Sequence, residues 1–368
     1  MEEYEGWMRE ALKLARRGEG LTRPNPPVGA LVVSRGVVLG RGWHRRAGGP
    51  HAEVLALAQA GARARGATLY VTLEPCSTVG RTPACVPAII AAGIRRVVVA
   101  VRDPNPRHRG RGLRQLRRAG LNVLDGVCAA EAGELLAPFA KWIVSGLPYV
   151  TLKMAVSLDG KIADAAGRSR WITGATARRE VQSLRRRADA IMVGVGTART
   201  DDPSLLPRPP AGRQPWRIVL DSRGSLRADC RMLCDAAAAR TIIATTRLCP
   251  AAVLAAWRAS GAQAWVLPAR RGRVSLAALR RRLGRLGALH VLCEGGGEMA
   301  ADLIGQNAVD EYICFLAPRI IGGREAPGMV GGVGWALAGA PELVFRETRR
   351  VGPDVLVRAH PCKNRRSH

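Results

Sequence analysis

Apolar and polar positions along the chain fall into two successive patterns of short strands and amphipathic helices. Residues 2–17 carry apolar positions at helical spacing, and the following VGALVVSRGVVLGRGWH offers two β-rich runs flanking a glycine turn at Gly36. ATLYVTL (67–73), RRVVVAV (95–101) and LNVLDGV (121–127) come next, each separated from the last by a helical stretch. Strands that alternate with helices predict a layered α/β sheet. At AKWIVSGLPYVTLK the alternation restarts behind two breakers, Gly146 and Pro148, so the chain is expected to divide into residues 1–146 and 147–368.

The second half repeats the alternation. Strands are predicted near 149–156, 190–195, 216–221, 241–246, 263–267 and 289–293, with helices near 175–187, 250–259, 275–285 and 297–305. The last runs, VDEYICFLAPRII, LVFRETRRV and DVLVRAH, have no helix between them and are expected to form an antiparallel closing edge. RTDDPSLLPRPPAGRQPW, rich in proline and polar residues, is expected to be a surface loop. No sequence repeat links the halves.

Composition narrows the class. A chain of 368 residues suits two ordinary domains, and with 47% hydrophobic but only 4% aromatic residues the cores must be built from Ala, Val, Leu and Ile. No run reaches the roughly 18 apolar residues of a membrane span, and the acidic start MEEYEGWMRE lacks the form of a signal peptide. A cytoplasmic protein without a membrane partner is expected. Nine scattered cysteines in a chain of this length read as reduced thiols rather than a disulfide framework. The net charge of +28 would suit a nucleic-acid binder, yet only five of the 57 basic residues are Lys and the Arg are spread evenly. That spread reads as compositional bias and a solvated basic surface, and it disfavours a nucleic-acid partner.

PHAEVLALA and LEPCSTVGRTPAC carry the first chemistry. His51, Cys76 and Cys85 supply three N/S ligands, which leaves a zinc ion one open position for water. Glu53 adds a carboxylate that can take a proton from that water and pass it to a leaving amine, the pairing that hydrolytic deamination needs. H-x-E followed by P-C matches the zinc deaminases in type and order, although eight residues separate the cysteines where two are usual. Residues two apart on a helix point to nearly opposite faces, so His51 and Glu53 converge only if His51 sits at the helix mouth behind Pro50.

In the second half, VTLKMAVSLDGKIA reads as an apolar strand broken by a polar turn, and VGVGTARTDDP as a strand ending in a Gly/Thr loop. LCEGGGEMAADLI is a strand, three glycines and a helix, so backbone N–H groups at the helix N-terminus can face an anion. No G-x-G-x-x-G with a following acidic residue is present, which excludes the Rossmann fingerprint, and three glycines alone name no cofactor.

These motifs together resemble the bifunctional riboflavin-biosynthesis enzymes, in which a pyrimidine deaminase is fused to a reductase. TRPNPPVGA, GRGWHRRAGGPHAE, LEPCSTVGRTPAC, VRDPNP, LKMAVSLDGKIA, SRWITG, GVGTARTDDPSLLPR, LDSRG and EGGGEMAADLI carry the resemblance over nearly the whole chain. It implies an α/β protein with an N-terminal cytidine-deaminase-like zinc domain and a C-terminal dihydrofolate-reductase-like domain that uses NADPH. It also accounts for the long cysteine spacing, with STVGRTPA as a substrate loop. By position, Asn25, His44, Arg81 and Asn105 would contact the deaminase substrate; the family often has Lys at the position of Arg81.

In the reductase half the resemblance places Ala155, Trp171, Thr197, Asp201, Ser222, Gly295, Gly296 and Gly297 at NADPH. Ser169, Arg185, Leu205, Arg208 and Glu294 fall at the substrate, and Lys153 and Asp201 at the hydride-transfer site. The implied function is deamination of 2,5-diamino-6-ribosylamino-4(3H)-pyrimidinone 5′-phosphate followed by NADPH-dependent reduction of ribosyl to ribityl. The partner is thus a small phosphorylated pyrimidine, and a homo-oligomer is compatible with the sequence. The alternative is an RNA- or nucleoside-directed zinc deaminase with a basic binding module. Only the charge of +28 favours it.

Overall fold

β1 (Gly29–Ser34) and β2 (Val37–Trp43) form an antiparallel hairpin whose two-residue turn holds Arg35 and Gly36 at φ of 49° and 74°. Both lie in the left-handed region that matches the twist of paired strands. The hairpin belongs to a computed structural model that describes residues 2–80, 82–210 and 212–362. The chain divides into two units, Met1–Leu147 and Pro148–His368.

In the first unit the elements are α1 (Glu2–Arg16), the hairpin, α2 (Ala52–Ala60), β3 (Thr68–Leu73), α3 (Cys85–Ala91), β4 (Arg96–Val101), α4 (Arg111–Arg118), β5 (Asn122–Asp125) and α5 (Ala129–Ser145). The five strands lie in the order β2-β1-β3-β4-β5; β1 is antiparallel to β2 and β3, while β3, β4 and β5 run parallel. The period-2 rule sends Ala30, Val32, Leu69, Val71, Val97 and Val99 to the face covered by α2, α3 and α4. Leu31, Val33, Tyr70, Val98 and Ala100 go to the other face, under α1 and α5. Each fully buried Val, Leu or Ile contributes about 1.5–3 kcal/mol, so a sheet covered on both faces is well supplied.

One contact fixes the height of α2 above the sheet. A Cβ on Gly40 would lie 2.0 Å from the Ala56 carbonyl oxygen, and one on Gly42 would lie 2.1 Å from that of Ala52. Helix backbone therefore rests on strand backbone, with Ala52, Ala56 and Ala60 at 0%, 0% and 2% exposure along the seam.

The second unit runs β6 (Tyr149–Ser157), α6 (Ala175–Arg187), β7 (Ala190–Gly194), α7 (Val195–Asp201), β8 (Trp216–Leu220), α8 (Arg231–Cys234), β9 (Thr241–Thr245), α9 (Ala251–Ala259) and β10 (Gln263–Val266). A small hairpin of β11 (Ala269–Arg270) and β12 (Arg273–Val274) precedes α10 (Leu276–Arg285), β13 (His290–Cys293), α11 (Gly297–Gly305), β14 (Glu311–Ala317), β15 (Leu343–Val351) and β16 (Asp354–Pro361). Nine strands form one sheet in the order β10-β9-β8-β7-β13-β6-β14-β16-β15. Those from β10 to β14 are parallel.

Two local expectations change here. The antiparallel closing edge consists of β16 and β15, since β14 pairs parallel with β6 and antiparallel only with β16. The Gly/Thr segment after β7 is the helix α7 and not a loop, capped by an extended Gly194 and anchored by the buried Ala198. Among the described residues no helix is long and apolar enough to cross a membrane.

Candidate active sites

His51 is the extended N-cap of α2 (φ −73°, ψ 161°), and Glu53 stands in the first turn of the same helix, 4% exposed. Cys76 follows the end of β3, and Cys85 opens α3, where its N–H donates to Cys76 Sγ at 3.3 Å. His51 Nδ1 lies 3.1 Å from Cys85 Sγ and 3.5 Å from Cys76 Sγ, and all three ligand atoms fall within 4.8 Å of one another. Bond lengths of about 2.0–2.3 Å in a tetrahedron put ligand atoms roughly 3.3–3.8 Å apart, so this donor set fits zinc. The Cys85 thiol beside Cys76 draws it down to about 4, while the same contact and burial push Cys85 up. Burial raises the carboxyl of Glu53 above its ordinary range, so it holds a proton more readily than a solvated glutamate.

The ring orientation of His51 is set from its far side. Thr82 Oγ1 lies 3.1 Å from His51 Nε2. With Nδ1 turned to the metal, Nε2–H donates to that hydroxyl and fixes the tautomer. Thr82 was not singled out from sequence, and its only signal is its place inside the long cysteine spacing.

His44 packs edge-on against His51, with ring centroids 5.4 Å apart. Its Nδ1 lies 3.1 Å from the Pro50 carbonyl oxygen and its Nε2 lies 3.0 Å from Asn25 Nδ2. A carbonyl only accepts, so Nδ1 carries the proton and Nε2 accepts from the Asn25 amide: a neutral ring. Burial lowers its basicity in the same direction. Asn105 spends its Oδ1 on the Arg107 N–H at 3.1 Å, in a turn that also ties its own N–H to Asp103 Oδ1 at 2.8 Å. Arg81 lies outside the described residues.

In the second unit, candidate residues gather where β6, β7, β8 and β13 end. Open parallel sheets bind ligands outside the carboxyl ends of their strands, where the strand order reverses. Glu294, directly after β13, receives Arg185 Nε at 2.7 Å and Nη2 at 3.0 Å, and Lys153 of the neighbouring β6 lies 3.2 Å away. Burial alone would raise this carboxyl; Lys153 and Arg185 overcome it and draw it down to about 2. Ala155 stands two residues beyond Lys153 on the same face of β6. Asp201 ends α7 and accepts from Ser169 Oγ at 3.1 Å, with Arg170 Nε 3.8 Å away.

Trp171 is 61% exposed, with the Arg178 guanidinium 4.7 Å from its ring centre. Gly296 caps α11, and a Cβ there would meet only Thr197 Oγ1 at 3.7 Å and Ile162 Cδ1 at 4.0 Å. Gly297 could not carry one at all, since it would lie 2.7 Å from the Gly328 carbonyl oxygen, and a Cβ on Gly295 would lie 2.7 Å from Met299 Sδ. Bare helix-terminal N–H groups beside a threonine hydroxyl suit the diphosphate of a dinucleotide, so the residues present fit NADPH.

Ser222 Oγ accepts the Val274 N–H at 3.0 Å. The preceding Asp221, 1% exposed and not picked out from sequence, accepts from Gly224 N, Ser225 Oγ and Leu226 N and so holds that turn. Leu205 is 1% exposed among Ile191, Val193 and Val219, which leaves only its backbone to face a ligand. Arg208 donates its N–H to Gln182 Oε1, while its exposed guanidinium has no partner among the described residues.

The family model for the RibD C-terminal domain matches residues 148–357, and that for the cytidine and deoxycytidylate deaminase zinc-binding region matches residues 1–101. The riboflavin biosynthesis protein RibD of Escherichia coli (strain K12) is 42% identical over 369 residues, covering 95% of this chain and 97% of its own. That of Aquifex aeolicus (strain VF5) is 43% identical over 326 residues, 88% of this chain and 90% of its own. Among solved structures, Acinetobacter baumannii RibD, form 1, superposes with a TM-score of 0.87 at 35% identity, covering 98% of this chain and 99% of that one. The diaminohydroxyphosphoribosylaminopyrimidine deaminase/5-amino-6-(5-phosphoribosylamino)uracil reductase of Thermotoga maritima superposes with a TM-score of 0.86 at 34% identity, with the same coverage.

Proposed function

The chain belongs to the RibD family of riboflavin-biosynthesis deaminase/reductases, and we propose that His51, Cys76 and Cys85 hold its zinc while Glu53 carries the proton of deamination. It is a bifunctional enzyme of riboflavin biosynthesis, with a hydrolytic deaminase and a reductase activity and with Zn2+ and NADPH as cofactors. Its substrate is a small phosphorylated pyrimidine. What supports the residue roles above all is the convergence of three N/S donors beside one buried carboxylate.

In the first half-reaction water adds to the ring carbon that bears the amine of 2,5-diamino-6-ribosylamino-4(3H)-pyrimidinone 5′-phosphate, the C–N bond breaks and ammonia leaves. Zinc, when bound, supplies the Lewis acidity that makes water nucleophilic at neutral pH. Glu53 removes the proton from the water and returns it to the departing nitrogen; its burial keeps it basic enough for both. The neutral His44 and the free amide edge of Asn105 orient the ring, and Asn25 holds His44 in its tautomer. Arg81 is assigned to the phosphate on its sequence position alone.

In the second half-reaction C1′ of the ribosyl group gains a hydride, its bond to the ring oxygen opens and that oxygen gains a proton, which leaves ribityl. NADPH, when bound, supplies the hydride. Lys153 and Asp201 flank the reacting carbon, Ser169 orients Asp201, and Glu294 holds Lys153 in place. Residues 1–146 and 147–368 each carry one activity, and the enzyme works in the cytoplasm without a nucleic-acid partner.

Assigning the proton to Glu53 is tested by Glu53→Ala. Ammonia release should fall by about 10²–10⁴-fold, the span of general acid–base catalysis, with zinc retained at one per chain and NADPH consumption on the deaminated intermediate unchanged. Retained ammonia release, or zinc lost along with it, would reject the role.

A further inference from the structure

Glu74 sits between the end of β3 and Pro75–Cys76, 5% exposed, with its own N–H donating to the Val101 carbonyl at the end of β4. Among the described residues its carboxylate bonds no side chain. Oε2 accepts the N–H groups of Asp103 at 3.0 Å and Gly110 at 2.9 Å; Oε1 accepts those of Gly112 at 2.9 Å and Leu113 at 3.5 Å. An ionised carboxyl offers about four acceptor sites, and backbone donors fill all four here. No cation pairs with it among the described residues.

Those four donors bracket one segment. Asp103 lies at its start, Gly110 at its end, and Gly112 and Leu113 in the first turn of α4. Between them stand Asn105 and His108, and His108 Nδ1 lies 3.4 Å from Thr78 Oγ1 on the loop between the two cysteine ligands. Packing on the far side is equally close: a Cβ on Gly112 would lie 2.1 Å from the Pro75 carbonyl oxygen. Glu74 thus closes residues 103–113 onto the same short stretch of chain that delivers Cys76.

We propose that Glu74 is a positioning residue for deamination: it sets the Asn105 segment at a fixed height over the zinc ligands and so governs pyrimidine binding without touching the reacting atoms. The proposal rests on the reading of Asn105 as a substrate contact. Charge-assisted bonds to backbone N–H groups are among the stronger hydrogen bonds, and four on one buried group leave that segment little freedom. A surface glutamate would be spent on solvent or an arginine; Glu74, 5% exposed, is spent on four backbone N–H groups.

Glu74→Gln keeps the shape but turns one oxygen into an NH2 that faces two N–H donors, which releases one end of the segment. In the full-length zinc-loaded enzyme, KM for the diaminopyrimidine substrate should rise about tenfold while kcat changes by less than about threefold. Zinc should stay at one per chain. Glu74→Asp, which keeps the charge but draws it back, should fall between wild type and Gln. In an Asn105→Ala background Glu74→Gln should add nothing further to KM. An unchanged KM in Glu74→Gln, zinc lost together with kcat, or losses that multiply in the double variant would each overturn the proposal. If Asn105→Ala alone leaves KM unchanged, the assignment of Asn105 fails and the positioning role argued through it is overturned as well, whereas a raised KM in Asn105→Ala with an unchanged KM in Glu74→Gln overturns the role of Glu74 alone.

Discussion

Arg185 meets Glu294 through two nitrogens, Nε 2.7 Å from one carboxylate oxygen and Nη2 3.0 Å from the other, and Lys153 closes the group 3.2 Å from the second oxygen. All three side chains are largely buried, with exposures of 17%, 8% and 13% for Arg185, Glu294 and Lys153. The fork with which a guanidinium would grip a phosphate is therefore already engaged. Of the two reductase-half arginines expected at the substrate, Arg208 is the one whose guanidinium has no partner among the described residues.

Glu294 makes the reductase unit sensitive to acid. Its carboxyl is held near 2, below the ordinary 4.5, so the pairing stabilises the fold at every pH above 4.5 and that stability drains away as pH falls toward 2. A depression of this size corresponds to about 3 kcal/mol. Glu294→Gln should flatten the pH dependence of the unit's melting transition between about pH 2 and 5 and should lower its stability at neutral pH by a similar amount. An unaltered acid profile would show that the two cations are not what holds the carboxyl ionised.

Arg208→Ala should raise the reductase KM for the phosphorylated intermediate by about tenfold or more, since a charge-assisted bond to phosphate is lost. The dephosphorylated analogue should react equally well with either protein. Arg81→Ala should behave the same way in ammonia release. Equal losses on both forms would return these arginines to the general basic surface.

Stripping the zinc with a chelator should end ammonia release and leave NADPH consumption intact, because the donor cluster His51, Cys76 and Cys85 lies within Met1–Leu147. The measurement is zinc content beside both half-reactions. Recovery of ammonia release on adding back one zinc per chain completes it, and parallel loss of NADPH consumption would contradict it.

Gly42→Ala should damage the deaminase alone. The added Cβ would lie 2.1 Å from the Ala52 carbonyl oxygen, a backbone atom that cannot step aside without moving α2. Overpacking of a tight contact costs about 1–3 kcal/mol, more where backbone must shift. Thermal melting should show a weakened first unit with zinc released early, against an unchanged reductase rate. A normal melting curve would mean that the helix can rise without cost.

Much of this was legible in the sequence, for reasons that can be named. Runs such as RVVVAV and TIIAT are rich in β-branched residues, so strand and helix positions in both halves follow from local pattern. His51, Glu53, Cys76 and Cys85 stood out because residue type and order alone restrict the chemistry. Pairings over long separations were not readable. Arg185 and Glu294 are 109 residues apart, and β13 enters the sheet between β7 and β6 although three strands intervene in the chain between β7 and β13, not counting the small β11–β12 hairpin. Short-range signals also misled where tertiary contacts decide: GTAR reads as a loop from its glycine and threonine, yet it winds into α7 against β7. Leu205 in a proline-rich stretch promised surface and is core. Glu74 and Asp221 spend their carboxylates on backbone donors that only the folded chain brings together.

Where α2 crosses β2, carbonyls stand where side chains would otherwise intervene, and this bears on how the protein can change over generations. Large core residues elsewhere in the unit can be exchanged for others of similar volume, because neighbouring side chains adjust. Gly40 and Gly42 have no such neighbours, and the alanines opposite them have no room to grow. The depth at which His51 and Glu53 sit is consequently recorded in the smallest residues of the chain, and sequence drift should spare those positions while the larger ones around them wander.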